Sequence, residues 1–359
     1  MVLKSFKISK ISLIVTMVIM GTGSVYAAAT ATPNGVVSEY SASTIAGGKT
    51  NGAQLNQLTS PSDVCLDSAG NVYIADKSNH RIMKWGVGAK EGLVVAGGNG
   101  AGSALNKLNS PSDVTIDSAG NLYVADTDNH RIVRWDAGAT KGVVVAGGIT
   151  WGSATNELIY PSDVSLDSAG NIYVSDTYNH RIVRWDKGAK KGVVVAGGNN
   201  WGTQLNQLAY PGDVTVDSVG NIFISDTENH RIVKWEVNAK EGVIVAGGNG
   251  WGSELDKLVY PEGLSVDNAG NIYVVDSNNN RVVRWDANAK EGVLVAGGNG
   301  LGSNINQLNN PIGVSLDAAG YIHVADAQNH RIQKFSPLNR SEDHSEINLS
   351  DIETAAGTP

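Results

Sequence analysis

The sequence is short of cysteine, phenylalanine and charged residues. Its 359 residues include one cysteine, Cys65, so no disulfide can form within the chain. Only 17% of the residues are charged and three are phenylalanine, whereas 43 are glycine. Such a composition is typical of many short strands joined by tight turns, and it disfavours a helical protein.

An excess of basic residues is also absent. The chain has 27 basic and 35 acidic residues, which gives a formal net charge of −8. Proteins that bind nucleic acids gain most of their affinity by neutralising phosphates. The charge balance therefore disfavours a nucleic-acid partner.

The first 27 residues have the pattern of a secretory signal peptide. Three lysines, Lys4, Lys7 and Lys10, precede the apolar run ISLIVTMVIM (11–20), which is too short to span a bilayer comfortably. The small residues VYA (25–27) then resemble a cleavage site. We expect residues 1–27 to be a signal peptide, with a retained anchor as the alternative. The mature chain is then secreted or periplasmic and has no membrane span.

The dominant feature of the sequence is a repeat of fifty residues. Each copy opens with a proline and continues as in PSDVTIDSAGNLYVADTDNHRIVRW (111–135), and the first five end with a run such as GVVVAGG (142–148). The opening prolines are Pro61, Pro111, Pro161, Pro211, Pro261 and Pro311. A period of this length with four apolar runs per copy indicates a propeller blade or a solenoid coil.

Strand pairing within one copy follows from its turns. The SAG turn (68–70), in which Gly70 can take a positive φ, sets Leu66 opposite Val72. The loop KSNH (77–80) likewise sets Asp76 opposite Arg81. The resulting sheet has apolar residues on both faces, so each face needs cover from a neighbouring blade.

The number of strands favours a closed ring over an open stack. The sixth copy stops at RIQKF (331–335) without its fourth strand, whereas a single STIAGG run (43–48) precedes the first copy. The early strand can complete the last sheet, which leaves no long open edge. We therefore predict an all-β fold, a six-bladed β-propeller of four-stranded antiparallel blades over residues 43–336. A linker (28–42) precedes it, and a disordered acidic tail (337–359) follows it.

The repeats resemble a known family. The run DTDNHRIVRW and its five relatives, together with the P-x-x-V-x-x-D-x-x-G opening, are similar to the NHL repeat. The resemblance implies a six-bladed propeller that mostly serves as a binding platform for protein or RNA. A few members are enzymes, such as the peptide-amidating lyase. Because one fold hosts many functions, the resemblance does not choose among them.

Most of the chemically suggestive residues belong to this shared framework. Five histidines occupy one loop position, where we expect them to bond neighbouring backbone rather than a metal. They are His80, His130, His180, His230 and His330. The opposed Asp76 and Arg81, and their copies, are interpreted as ion pairs within the sheets.

Four aspartates are less easily assigned. Asp63, Asp113, Asp163 and Asp213 begin the innermost strands, where the other two copies have Gly263 and Gly313. Four carboxylates at one mouth of the channel could bind a divalent cation. The alternative, which we favour, is that each accepts hydrogen bonds from its own or the next blade. No other cofactor is indicated.

Aromatic residues distinguish three consecutive loops from the rest. These rings are Trp151, Tyr160, Trp201, Tyr210, Trp251 and Tyr260, with Tyr178 in a nearby loop. They could merely pack on one another, or they could form a surface for sugars or peptide side chains. We predict that they bind a protein or carbohydrate ligand without catalysis. The alternative is a metal-dependent lyase or hydrolase with its site at the channel mouth.

Overall fold

The chain folds into six four-stranded antiparallel sheets arranged as a closed ring. The computed structural model of the protein describes residues 40–48, 50–148 and 150–337. Each sheet is one blade of a propeller, and its strands follow the chain in simple up-and-down order. This architecture confirms the predicted six-bladed β-propeller. Within a blade we call the strands a to d, from the central channel outward.

The first three blades each consist of four strands that follow one another in the chain. A separate first strand, β1 (Tyr40–Gly47), precedes them. Blade 1 contains β2 (Pro61–Leu66), β3 (Val72–Asp76), β4 (Arg81–Trp85) and β5 (Leu93–Gly97). Blade 2 contains β6 (Asp113–Ile116), β7 (Leu122–Asp126), β8 (Arg131–Trp135) and β9 (Val143–Gly147). Blade 3 contains β10 (Pro161–Leu166), β11 (Ile172–Asp176), β12 (Arg181–Trp185) and β13 (Val193–Gly197).

The other three blades repeat this order, except that the last takes its d strand from the start of the chain. Blade 4 contains β14 (Pro211–Val216), β15 (Ile222–Asp226), β16 (Arg231–Trp235) and β17 (Val243–Gly247). Blade 5 contains β18 (Pro261–Val266), β19 (Ile272–Asp276), β20 (Arg281–Trp285) and β21 (Val293–Gly297). Blade 6 contains β22 (Pro311–Leu316), β23 (Ile322–Asp326), β24 (Arg331–Pro337) and β1. A single 3₁₀ turn joins strands b and c in each blade: Lys77–Asn79, Thr127–Asn129, Thr177–Asn179, Thr227–Asn229, Ser277–Asn279 and Ala327–Asn329.

The predicted register is confirmed. In blade 1 Leu66 lies opposite Val72, and Asp76 lies opposite Arg81. Gly70 has a φ of 79°, a conformation that glycine adopts without the steric cost of a Cβ. The turn residues therefore fix which side chains share a face of the sheet.

Neighbouring blades cover both faces of each sheet. On one face of blade 1, Met83 and Trp85 pack with Ala325 and Ile332 of blade 6. On the other face, Tyr73 and its neighbours pack with the Trp135 cluster of blade 2. Six such clusters form the core, which thus lies between the blades rather than at one centre. Burial of this apolar surface is the main source of stability.

The ring closes through β1, which pairs antiparallel with β24. A buried polar contact accompanies this closure, because the Thr44 hydroxyl donates to Gln333 Oε1 at 2.6 Å. The Gln333 amide also donates to the carbonyl oxygen of Ile305 at 2.9 Å. The equivalent residue in blade 1 is the apolar Met83, so this polar contact distinguishes the closing pair of strands. A slipped register between β1 and β24 would leave the amide oxygen of the buried Gln333 without the Thr44 hydroxyl.

The propeller strands extend slightly beyond the predicted limits. Strand β1 begins at Tyr40, inside the segment predicted as a linker, and β24 ends at Pro337. The predicted signal peptide (1–27), most of the linker and the tail from residue 338 lie outside the described residues. Within the described part of the chain, no helix is long and apolar enough to cross a membrane.

A buried ion pair in each blade holds the loop that leads into that blade. In blade 3 the Arg181 guanidinium Nε donates to Asp176 Oδ2 at 2.7 Å. The same Arg181 donates to the carbonyl oxygen of Ser153, and the backbone N–H of Ile159 donates to Asp176 Oδ1, each at 2.7 Å. Asn179 adds a hydrogen bond to Asp176 at 2.8 Å. The equivalent pairs are Asp76–Arg81, Asp126–Arg131, Asp226–Arg231, Asp276–Arg281 and Asp326–Arg331.

Removing the closing strand tests the ring. We expect deletion of residues 28–50 to lower the melting temperature and to promote association, because it exposes an unpaired edge in blade 6. Thermal melts and size-exclusion chromatography measure these effects. Deletion of residues 28–39 alone spares β1 and is the matched control. A monomeric 28–50 deletion that melts like this control would contradict closure by β1.

Removing one arginine tests the buried ion pairs. Arg181→Met should cost about 3 to 5 kcal/mol of unfolding free energy, because it leaves the fully buried Asp176 without its counter-charge. Burial already holds the pKa of Asp176 above its ordinary value, although Ile159 and Arg181 lower it. Protonation removes the unpaired charge, so the loss should be largest at alkaline pH and should shrink as the pH falls.

The surface pair of Arg184 with Asp186 supplies the control for this measurement. Their side chains are 34% and 59% exposed, and such pairs contribute about 1 kcal/mol or less. Denaturant unfolding of Arg181→Met and Arg184→Met at several pH values separates the two situations. Equal losses in both variants, or a loss in Arg181→Met that does not depend on pH, would contradict a structural role for the buried pair.

Candidate functional site

Two sets of loops meet on one face of the propeller. The first set joins strand d of one blade to strand a of the next, and the second comprises the b–c turns. In blade 3 the side chain of Asn179, in the b–c turn, donates to the carbonyl oxygen of Gly152 at 2.9 Å. Gly152 follows Trp151 directly in the chain, so the hydrogen bonds around the buried ion pair hold the loop that carries Trp151. We call residues 150–160, 200–210 and 250–260 the aromatic loops, and these loops together with Tyr178 the aromatic face.

The loop histidines link neighbouring blades. His180 Nδ1 accepts a hydrogen bond from the backbone N–H of Tyr210 at 3.2 Å, and His130 does the same for Tyr160 at 3.1 Å. His80, His230 and His330 accept from Ser110, Tyr260 and Ser60. In the fifth blade Asn280 Oδ1 accepts from Asn310 at 2.8 Å. The prediction that these side chains bond neighbouring backbone is confirmed.

The three tryptophans of the aromatic loops point into solvent. Trp151 and Trp201 are each 69% exposed and Trp251 is 74% exposed. Among the described residues, none of the three indole rings has a hydrogen bond or a ring contact. Leu158, Leu208 and Leu258, which are fully buried, anchor the same loops. The tryptophans are therefore not required for packing the loops. The alternative, in which the rings pack on one another, does not describe these three tryptophans.

The tyrosines behave differently, because they do pack on one another. Tyr178 lies between Tyr160 and Tyr210, with ring centroids 4.9 and 5.3 Å away. His130 and His180 extend this row at both ends, with edge-on contacts of 4.6 and 4.5 Å. Edge-on pairs of this kind contribute about 0.5 to 1.5 kcal/mol beyond burial. Packing thus accounts for part of the tyrosine set, although Tyr178 remains 54% exposed.

The backbone of three tyrosines is strained. Tyr160, Tyr210 and Tyr260 have φ angles of 48°, 49° and 51°, in the left-handed region. A residue with a Cβ pays about 1 to 2 kcal/mol there, and Asn tolerates the region better than a bulky residue does. The other blades have Ser60, Ser110 or Asn310 at this position. The same left-handed φ therefore occurs at this position in all six blades, so the conformation belongs to the shared framework.

The four aspartates of the innermost strands lie at the channel mouth, as predicted. They line a cavity of about 170 Å³. Each accepts a hydrogen bond from a backbone N–H of the next blade. These bonds join Asp63 to Val114, Asp113 to Val164, Asp163 to Val214 and Asp213 to Leu264, at 3.4, 3.0, 3.0 and 2.9 Å. The hydrogen bonds that we expected these aspartates to accept from the next blade are present, and cation binding stays a prediction.

The environment of these carboxyl groups favours their protonated form. Burial, together with the charge of Asp63, raises the pKa of Asp163 to about 8. Burial also holds the pKa of Asp113 and of Asp213 well above the ordinary value, and the negative charge of Asp163 adds to both shifts. Some of the four groups therefore hold a proton at neutral pH. Within the described residues, no three His, Cys, Asp or Glu side chains are arranged to bind a metal ion.

Sequence analysis missed two residues at this mouth. Glu262 and Lys77 line the same cavity as the aspartates, and burial raises the pKa of Glu262 to about 7 although Lys77 lowers it. Both residues could have been found in the sequence because they depart from the repeat. Lys77 takes the first position of the b–c turn, where the other blades carry Thr, Ser or Ala, and Glu262 follows the opening proline, where they carry Ser, Gly or Ile.

Close approach of three innermost strands, β18, β22 and β2, explains why the acidic series stops at four. A Cβ at Gly263 would clash with the carbonyl oxygen of Ile312, and one at Gly313 would lie 2.7 Å from Cα of Asp63. No side chain fits at either position. The carboxyl groups therefore occupy one side of the channel, and Glu262 reaches the mouth from the neighbouring position in the chain.

The fold and this face define the class: a six-bladed β-propeller with an aromatic patch on its loop face and an acidic channel mouth. The NHL repeat model matches the chain six times, at residues 58–85, 108–135, 158–185, 208–235, 258–285 and 308–335. The chain thus belongs to the NHL-repeat family, which confirms the resemblance. A search of curated proteins finds no significant match.

Solved structures with a similar fold have diverse functions. A Bacteroides thetaiotaomicron protein of unknown function is 17% identical, with a TM-score of 0.62, over 82% of this chain and 75% of that one. A gluconolactonase from Xanthomonas campestris is 12% identical, with a TM-score of 0.59, over 82% and 89%. An auxiliary nutrient binding protein from Bacteroides thetaiotaomicron is 14% identical, with a TM-score of 0.60, over 82% and 76%. At these identities the likeness establishes the fold alone.

We call the hydrogen bond that each loop histidine, or Asn280, accepts from the loop into the next blade the histidine clamp. Exchanging histidine and asparagine in this clamp should change the stability of the protein at acid pH. His180 Nδ1 accepts a hydrogen bond, which requires an unprotonated nitrogen. Burial lowers the pKa of His180, so its stabilising effect is complete above about pH 6.5 and is lost as the pH falls through the lowered pKa. We expect His180→Asn to reduce the acid sensitivity of the melting temperature, with a change at neutral pH within about 1 kcal/mol.

Asn280→His is the matched reverse exchange. It should increase the acid sensitivity, because it adds one more titrating acceptor. Thermal melts between about pH 7.5 and pH 5 measure both effects. If neither variant changes the slope of melting temperature against pH, the histidine clamp does not contribute to acid sensitivity.

Proposed function

We propose that this protein is an exported, non-catalytic binding propeller that recognises a protein or carbohydrate ligand through the aromatic face. The observation that carries the proposal is the exposure of Trp151, Trp201 and Trp251 on rigidly held loops. Large exposed rings on a face without a structural need for them are typical of recognition surfaces. Trp and Tyr are also the residues that most often carry binding energy at interfaces.

The loops that carry the rings are held before any ligand arrives. In blade 4 Arg231 donates to the carbonyl oxygen of Thr203 at 2.8 Å, and Asn229 donates to that of Gly202, also at 2.8 Å. Both acceptors follow Trp201 closely in the chain. A loop fixed in this way loses little conformational entropy on binding.

The proposed export rests on the first 27 residues. Their basic start, apolar run and small residues at 25–27 follow the order of a secretory signal. The excess of acidic residues is compatible with a protein that does not bind nucleic acid. Cell fractionation of the natural host, with mass spectrometry of the mature N-terminus, tests this part of the proposal.

A second candidate function is a metal-dependent lyase or hydrolase at the channel mouth. The observation that favours it is the group of carboxyl side chains with raised pKa values, since such groups occur at catalytic sites. Against it, the backbone of the next blade already engages Asp113, Asp163 and Asp213. Elemental analysis of the purified protein separates the two candidates. A stoichiometric divalent ion lost in Asp113→Asn with Asp163→Asn would favour the enzyme.

Removal of all three indole rings tests the binding proposal. We expect the triple variant Trp151→Ala, Trp201→Ala and Trp251→Ala to fold normally, with a cost within about 1 kcal/mol per site, because Ala101 occupies the same loop position in blade 2. Binding should weaken by about thirtyfold or more, since an aromatic anchor commonly contributes about 2 kcal/mol. The measurements are a thermal melt and an array of glycans and secreted proteins.

Two results for the triple variant would contradict the binding proposal in different ways. A variant that unfolds easily would show that the rings serve packing. A stable variant with the binding profile of the parent would place the ligand site elsewhere on the propeller. Leu301→Ala is the matched control, because Leu301 is 65% exposed at the same loop position in a blade without these rings.

A further inference from the structure

We infer that the aromatic face binds one uncharged polysaccharide chain at three equivalent subsites, one on each aromatic loop. This inference rests on the proposed function and deepens it, because it selects the ligand class. It has four supports: the shape of the surface, its repetition, its charge and its rigidity.

The exposed indole rings offer flat surfaces. Tyr260 borders a cavity of about 220 Å³, whereas Trp151, Trp201 and Trp251 line neither this cavity nor the one at the channel mouth. The side chains that anchor one protein on another usually enter a pocket. A pyranose ring instead presents a flat face of C–H groups and a rim of hydroxyl groups. An exposed indole with polar surroundings matches that shape, since it offers an apolar plane and an N–H donor.

The three subsites share one pair of rings and lie on consecutive blades. Each aromatic loop carries Trp at its second position and Tyr at its end, and each ends in the same left-handed conformation. A ligand that engages all three must therefore present the same group three times. A polysaccharide does so by its nature, and simultaneous contact raises its affinity beyond that of one subsite. The surface of a folded protein seldom repeats one group in this way.

The charges around the rings disfavour an acidic polymer. The aromatic loops and the b–c turns beside them contain one basic and four acidic residues: Lys257, Glu157, Glu228, Glu254 and Asp256. Uronic acids or sulfated sugars would meet like charge here. The surface therefore suits neutral sugars.

The three subsites are held in fixed positions relative to one another. Arg181, Arg231 and Arg281 each donate two or more hydrogen bonds to the carbonyl oxygens of one aromatic loop. The histidine clamps join each loop to the preceding blade. A rigid array favours a stiff, regular chain, because neither partner then loses much freedom on binding.

Affinity electrophoresis tests the inference with defined polymers. Gels contain hydroxyethylcellulose, arabinoxylan, galactomannan or dextran as neutral probes and polygalacturonate as the acidic probe. We expect the parent protein to be retarded by a neutral polymer and not by polygalacturonate. Each single Trp→Ala change should weaken retention by about tenfold or more, and the triple change should abolish it. Thermal melts of all variants establish that they are folded.

The chain also offers a gain-of-binding variant. Ala101→Trp with Ser110→Tyr installs the same pair of rings on the loop into blade 2, next to the first aromatic loop. A fourth subsite should strengthen binding to the retained polymer by about tenfold, whereas affinity for a disaccharide of the same sugar should not change. Val87→Trp is the matched control. It adds a ring at a residue that is 77% exposed beside the a–b turn, on the opposite face, and should have no effect.

Three outcomes would overturn the inference, and they differ in what they mean for the proposed function. If a secreted protein binds the parent and the triple Trp variant loses it, while no neutral polymer is retained, the binding function stands and the polysaccharide is wrong. If a folded triple variant retains every ligand of the parent, both proposals fail. Equal affinity of the Ala101→Trp, Ser110→Tyr variant and the parent for a retained polymer would likewise contradict the repeated subsites.

Discussion

The buried pair of Asp and Arg at each b–c turn is the interaction on which the rest of the structure depends. In blade 3 one guanidinium joins Asp176 to the carbonyl oxygen of Ser153, so a single side chain connects the sheet to the loop that enters it. Charged groups can be buried only where partners satisfy them, and here backbone groups complete both. The pair therefore fixes the course of all six entering loops, whatever residues their tips carry.

Because the buried ion pairs fix the course of the loops, the residues at the loop tips are free to differ. Leu108 and Leu158 are both fully buried anchors, yet one loop carries Ala101 and the other Trp151 at the tip. The same holds at the loop end, where the left-handed conformation occurs with Ser110 and with Tyr160. A framework that tolerates serine there does not require tyrosine. The tryptophans of the loops into blades 3 to 5 thus stand apart from the requirements of folding, which is why the proposed binding site is placed on them.

The channel mouth shows the opposite relation between residues and framework. Its aspartates connect each innermost strand to the next, and they stop where Gly263 and Gly313 bring the strands too close for a side chain. Their raised pKa values come first from burial and then from one another, so protons as well as hydrogen bonds offset their charge. A solved gluconolactonase shares the fold at 12% identity, which is no guide to the chemistry of this mouth.

The sequence by itself determined the number of blades, the register within them and the closure by the early strand, because turns and the alternation of apolar residues are local and the repeat displays them six times. It also indicated that His180 serves the framework. Only the tertiary structure decided which rings pack and which are free: Tyr178 meets Tyr160 and Tyr210 across two blades, whereas Trp201 meets no other ring among the described residues. Likewise, only the tertiary structure brings Lys77 and Glu262, which are far apart in the chain, to one cavity. Distances between blades depend on how six sheets close into a ring, and no pattern within one repeat encodes them.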